Sequence, residues 1–213
     1  MKIQSKLPKG VILDLPVNDL EYCNIVYMCI KQKGNYEYCI PENFEKVVEP
    51  IITSIYQISD DVWNDVRNMN CYITIKKMYV QPNTSGNRDG WHIDGFLGNQ
   101  YDFVWSDHLA TPTEVAVGDF ELTPDHELSI TEMYQQSVRA FNIPLDVGKL
   151  YYMGEQCVHR PTTNKTSKPV LRTFIKVTFT YDDFNAIGNA WNYKLPHVKP
   201  NKQRNECRNH GVL

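Results

Sequence analysis

The sequence predicts a mainly β chain with its helices gathered near the N-terminus, and three observations carry that expectation. Residues 41–59 place Phe44, Val47, Val48, Ile51, Ile52, Ile55 and Tyr56 at helical i, i+3, i+4 spacing. From Cys71 the chain changes character. Runs rich in β-branched and aromatic residues follow at 71–80, 101–106, 114–120, 149–153, 157–159 and 170–181. Most are short and separated by turn-forming residues, which favours a sandwich or barrel over a parallel sheet with crossover helices.

Taken in order, the 41–59 helix is expected to kink at Pro50, which cannot donate to the helical ladder. Asp60 is the expected cap of a shorter helix carrying Val62, Trp63 and Val66. Both helices should pack on the outside of a sheet. Residues 83–90, NTSGNRDG, read as a loop. The pattern Ser129-x-x-Glu132 reads as a capping box opening a brief helix through Met133, Tyr134 and Val138. After Trp191 the tail is polar, with Lys194, Lys199, Lys202, Arg204 and Arg208 set against Glu206.

At 213 residues the chain suits a single domain, 1–213, with a helical N-terminal support (1–70), a β core (71–181) and a C-terminal extension (182–213). Its 42% hydrophobic and 22% charged residues are those of an ordinary globule, and a net charge of -3 gives no general attraction to nucleic acid or anionic membrane. No run approaches the roughly 18 apolar residues of a membrane span, and the N-terminus lacks a secretory apolar segment. The six cysteines are scattered without a Cys-x-x-Cys pair, so they read as reduced thiols in a cytoplasmic protein. Cys207 and His210 have zinc-like spacing but no second ligand pair nearby.

The chemistry concentrates in Gly-Trp-His-Ile-Asp-Gly-Phe, residues 90–96. In an extended chain His92 and Asp94 point the same way, so their side chains converge. His159, at the end of a short strand, is the candidate third ligand. Two histidines and one carboxylate form the facial triad that suits non-haem Fe(II), because it leaves coordination positions open. Further on, alternation along 170–179 puts Arg172, Phe174, Lys176 and Thr178 on one face and Thr173, Ile175, Val177 and Phe179 on the other. The second face is fit to pack against helices. The first carries a guanidinium inward, where a carboxylate partner is expected.

With these residues in place, the chain resembles the Fe(II)- and 2-oxoglutarate-dependent dioxygenases, whose pattern is His-x-Asp, a long interval, a second His and then an Arg or Lys. Here those are His92, Asp94, His159 and Arg172. The resemblance covers roughly residues 71–181. It implies a double-stranded β-helix, the jelly-roll or cupin-like architecture, with flanking N-terminal helices. It also implies a hydroxylase in which His92, Asp94 and His159 hold Fe(II), Arg172 pairs with the far carboxylate of 2-oxoglutarate, and O2 is consumed with release of succinate and CO2. Ascorbate is the expected supporting reductant. Tyr79 and Gln81 are candidate hydrogen-bond donors to the cosubstrate, and Arg160 should point away from the site.

The substrate is less legible: a protein side chain, a nucleobase or a small metabolite all fit. Family members that demethylate alkylated bases carry a motif resembling Arg-x-Asn-x-x-x-Arg, and this chain has Phe174 and Thr178 at the matching positions, which disfavours that branch. The basic tail with Trp91, Tyr101, Phe103 and Trp105 is the feature that would suit a nucleic-acid strand. Arg88, in the loop, and Trp105 are the candidate substrate contacts. The competing class is a non-catalytic cupin-like module that binds a metal or ligand without turnover.

Overall fold

The computed structural model describes residues 1–58, 60–154 and 156–202. In chain order it contains strands β1 (Lys2–Ser5), β2 (Gly10–Ile12) and β3 (Cys23–Lys31), helices α1 (Glu42–Ile58) and α2 (Asp60–Val66), then β4 (Asn70–Val80), β5 (Gln100–Ser106), β6 (Thr113–Glu121) and α3 (His126–Ser137), and finally β7 (Phe141–Pro144), β8 (Lys149–Met153), β9 (His159–Pro161) and β10 (Val170–Thr180). The architecture is mainly β, with every strand pairing antiparallel, consistent with a cupin-like fold.

Six strands form the larger sheet in the order β2-β8-β5-β10-β4-β3. Its centre is β10, paired with β4 along its full length and with β5 on the other side. The smaller sheet has the order β1-β6-β7, and β9 also pairs with β6. Residues of both sheets line one cavity, so two inner faces meet there.

Side-chain alternation explains the layers. Ile175, Val177 and Phe179 of β10, Ile73 and Ile75 of β4 and Phe103 and Trp105 of β5 all join the cluster under α1. From the helix, Phe44, Val47, Val48, Ile51, Ile52 and Ile55 fill it, as the helical spacing predicts, while Tyr56 is exposed. Burying each such aliphatic or aromatic side chain contributes about 1.5–3 kcal/mol, so this layer anchors the fold. α1 runs through Pro50, which lacks the N–H that would bond the Lys46 carbonyl, and one turn on the Ser54 hydroxyl donates to the Pro50 carbonyl at 2.8 Å. The smaller sheet is backed by α3, whose Met133 packs with Ile3, Trp91, Phe120 and Val158.

Three expectations change. The N-terminal seventy residues are not only helical: β1, β2 and β3 lie there, and β2 and β3 form the two edges of the larger sheet. The capping box at Ser129 is not the start of α3, because Asp125 caps it four residues earlier by accepting from the backbone N–H of Glu127 and Leu128. Glu132 reaches back instead to the Thr123 N–H and hydroxyl. In the C-terminal segment Asn192, Leu195 and Val198 are buried, and Asn192 donates to the carbonyls of Cys29 and Cys39. Arg204, Glu206, Cys207, Arg208 and His210 lie outside the described residues. Among those described, no helix is long and apolar enough to cross a membrane.

Candidate metal centre

The site is built by a backbone pairing between distant segments. His92 and His159 face each other as an antiparallel bridge, exchanging N–H to carbonyl bonds of 2.9 Å in both directions. Residues so paired project their side chains to the same face. β9 is itself held by β6, through Val115 opposite His159. The flanking residues Trp91, Ile93 and Val158 turn the other way into the core beneath α3. Alternation then returns Asp94 to the side of His92. Gly95 lets the chain leave at once: its φ is +65°, and a Cβ there would lie 2.6 Å from the side chain of Gln100.

Ligand atoms of His92, Asp94 and His159 all lie within 4.8 Å of one another. Asp94 Oδ1 is 3.9 Å from His92 Nε2, and Oδ2 is 3.6 Å from His159 Nε2. Each ring is oriented by the carbonyl two residues before it: His92 Nδ1 meets Gly90 O and His159 Nδ1 meets Cys157 O, both at 2.9 Å. With Nδ1–H donating, Nε2 is the atom aimed at Asp94, and it carries the lone pair wherever the ring is neutral. Burial, reinforced by His159, lowers His92 to about 4, which keeps that ring neutral. Burial also opposes charge on His159, but the Asp94 carboxylate and the Cys157 side chain push it up to about 10.

Asp94 has a further partner. Lys176 Nζ lies 3.0 Å from Asp94 Oδ2, 3.0 Å from the Tyr27 hydroxyl and 3.6 Å from Asp102 Oδ1. Asp102 is 0% exposed and accepts from Thr178 and Gln100. Burial penalises ionisation of Asp94, yet Lys176 and the two histidines hold its carboxyl well below the usual range. Burial likewise opposes charge on Lys176, but Asp102 and Asp94 keep its ammonium well above its ordinary value. Tyr27 sits at φ +46° in a break of the β3 register between Ile25 and Met28. A non-glycine residue there is uncommon, and here it turns a phenol into the cavity.

Arg172 projects inward from β10, as its parity predicts, and is 2% exposed. Among the described residues its side chain makes one hydrogen bond, a long one of 3.4 Å from Nη1 to Ser85 O, and its guanidinium lies 4.9 Å from the centre of the Phe174 ring. Nε and Nη2 are buried without a hydrogen-bond partner. Burial lowers Arg172 to about 10. The carboxylate expected beside it is not in contact: Asp107 acts only at longer range and accepts from the Thr173 N–H at 2.7 Å.

The other candidates divide. Arg88 lines the cavity with Asn87, from the loop that reaches its rim. Asn164 fixes that loop by two backbone bonds, to Asn83 and Thr84, both 2.8 Å. Tyr79 does not reach the cavity: it is 51% exposed on the outer face and stacks on Tyr22. Gln81 is exposed outside it as well. Trp105 is buried on the helix side, donating its indole N–H to Leu13 O. Tyr101, Phe103 and Trp105 share one parity on β5, so all three pack toward the helices and none forms a stacking platform at the cavity. Arg160 points away, pairing with Glu114 at 2.6 Å and lying over Trp91. The sequence reading assigned no role to Tyr27, Lys76, Asp102 or Lys176. Parity placed Lys176 on the inward face, and the same rule applied to β5 finds Asp102.

No family model and no curated protein matches the chain. Solved structures that it resembles include non-haem α-ketoglutarate-dependent enzymes. One is the α-ketoglutarate-dependent epimerase SnoN of nogalamycin biosynthesis, 14% identical over 54% of this chain and 49% of that one, TM-score 0.34. A second is the carbocyclase SnoK of the same biosynthesis, 14% identical over 72% and 68%, TM-score 0.39. A third is EvdO2 from Micromonospora carbonacea complexed with 2-oxoglutarate, 14% identical over 66% of each chain, TM-score 0.38. The match thus spans about half the length of the first of these.

Proposed function

We propose that this chain is an Fe(II)- and 2-oxoglutarate-dependent dioxygenase that hydroxylates a C–H bond, built as one domain on a double-stranded β-helix. The observation that supports this most is a pair of unmet needs on one inner face. Two histidines aim their Nε2 atoms toward a carboxylate, and a buried guanidinium nearby has two nitrogens without partners. A metal satisfies the first need. A carboxylate satisfies the second, through two parallel charge-assisted hydrogen bonds.

The donor set fits iron. Ligand atoms about 2.0–2.2 Å from one ion lie at most about 4.4 Å apart; the Asp94–His92 and Asp94–His159 separations of 3.9 and 3.6 Å fall inside that limit, and all three donors lie within 4.8 Å of one another. Two nitrogens and one oxygen, from His92, His159 and Asp94, would hold the ion and leave it open to further ligands. When bound, iron and 2-oxoglutarate activate O2 through oxidative decarboxylation to succinate and CO2. The chain's own part is geometry and exclusion of water. Lys176, itself held by the Tyr27 hydroxyl, fixes Asp94 Oδ2 in place, Arg172 receives the far carboxylate of the cosubstrate, and Val104 and Phe174 supply apolar wall.

The test is spectroscopic. Anaerobic protein given Fe(II) and 2-oxoglutarate should develop the weak visible charge-transfer band of the chelate, and admission of O2 should yield succinate. Metal binding without that band would favour the non-catalytic binding module.

A further inference from the structure

The same cavity carries more positive charge than the metal and cosubstrate consume. Its volume is about 200 Å³, and Lys76, Arg88 and Lys176 line it. Arg172 lies behind Lys76: β10 and β4 set Phe174 opposite Lys76, so Arg172 and Lys176 stand diagonally on either side of it. Against these four cations stand two carboxylates, Asp94 and Asp102. A ferrous ion and doubly charged 2-oxoglutarate cancel each other, which leaves two positive charges.

Geometry says which two. Lys176 is paired with Asp94 and Asp102, and the proposed function assigns Arg172 to the cosubstrate. Lys76 and Arg88 have no carboxylate within 4.0 Å among the described residues. Lys76 has only a marginal 3.5 Å contact with Gly86 O, in the loop that carries Arg88 two residues later. Burial and the neighbouring Arg172 and Lys176 lower its pKa. An uncompensated ammonium among cations is costly, and an anionic ligand removes that cost. Counting Asp107, which acts on Arg172 at a distance, still leaves the cavity positive.

We infer that the substrate is a small anion, a phosphate monoester or a carboxylate, whose charged group sits between Lys76 and Arg88 while its reacting carbon faces the metal. This rests on the proposed function, because the cosubstrate must occupy Arg172 for Lys76 to remain free. A cavity this small admits a compact metabolite or only the reacting end of something larger.

The experiment uses anaerobic full-length protein loaded with Fe(II) and 2-oxoglutarate, titrated with phenyl phosphate, with inorganic phosphate and with phenol as the neutral counterpart. Displacement of the chelate band reports binding, and calorimetry on zinc-loaded protein with 2-oxoglutarate reports it without reference to iron. Phenyl phosphate should bind at least tenfold more tightly than phenol. Lys76→Met and Arg88→Gln should each weaken it by about ten- to a hundredfold, the range of a charge-assisted hydrogen bond. The chelate band itself should form at unchanged 2-oxoglutarate concentration. Equal binding of phenol, or phosphate binding indifferent to both substitutions, would overturn the inference. So would Lys76→Met weakening 2-oxoglutarate instead, since Lys76 would then serve the cosubstrate. Failure of the parent to form any chelate band sinks the dioxygenase reading first, and the inference with it.

Discussion

On β10, Ile175, Val177 and Phe179 face α1, and one residue out of step Arg172, Phe174, Lys176 and Thr178 lie on the other face, from which Phe174 and Lys176 line the cavity. Both sets are largely buried, yet they are stabilised by opposite means. The helix side needs only apolar area and close packing. The cavity side buries charges at a cost, offset through the Lys176 network and left without offset at Arg172 and Lys76. Burial alone therefore does not distinguish core from site. What distinguishes them is whether every buried polar atom has found its partner within the chain.

Substitutions on the two faces should accordingly fail in different assays. The largest effect is expected from His159→Ala, which should abolish Fe(II) binding in calorimetry while the far-ultraviolet circular dichroism barely changes. Iron binding equal to the parent would remove the triad. On the other face, Ile175→Ala should cost about 2–5 kcal/mol of stability in denaturant unfolding, with cosubstrate affinity kept in the fraction that stays folded.

Arg172→Ala should weaken 2-oxoglutarate by roughly ten- to a few hundredfold and leave iron binding intact, with Arg172→Lys in between because an ammonium lacks the guanidinium fork. Arg160→Ala is its control on the outer side and should change cosubstrate affinity little. Were the two results exchanged, the register of β10 would be at fault. Lys176→Met should lower metal affinity by about ten- to a hundredfold, the usual effect of losing a group that orients a ligand.

The smallest and most graded effect is that of pH. His159 is held protonated up to about 10 without metal, so binding must expel that proton. Metal affinity should therefore fall as pH falls, by about tenfold per unit where this one proton is released, and proton uptake into buffers of different ionisation enthalpy would count it. A flat profile from neutral pH to 9 would show that the ring is already neutral.

Much of the cavity side was legible because strand parity is local. His92 with Asp94, and Arg172 with Lys176, follow from counting residues along an extended chain, and the order His92, Asp94, His159, Arg172 supplied the chemistry. The helical stripe from Phe44 to Ile55 was legible for the same reason. What stayed hidden depends on partners far away in the chain. Tyr27 meets Lys176 only because β3 breaks register at a residue with positive φ, and no periodicity signals such a break. The strands β1 and β2 are only four and three residues long and β3 is irregular in burial, so none offered an alternation long enough to read. Trp105 and Tyr79 were misplaced for a simpler reason: each lies on the odd-numbered, outward face of its strand.

The reciprocal pairing of His92 with His159 has a mechanical consequence. The segment after β4 and the strand β9 belong to distant parts of the chain, and among the described residues they are joined here by two backbone bonds between a pair of histidines. An ion gripping both rings would act as a staple across that seam, closing a long loop much as a covalent cross-link does. Because it binds the folded chain and not the open one, each tenfold excess of metal over its dissociation constant should add about 1.4 kcal/mol to the work of unfolding. The seam should then be the last part of the loaded protein to exchange its amide hydrogens, and among the first once a chelator has stripped the metal.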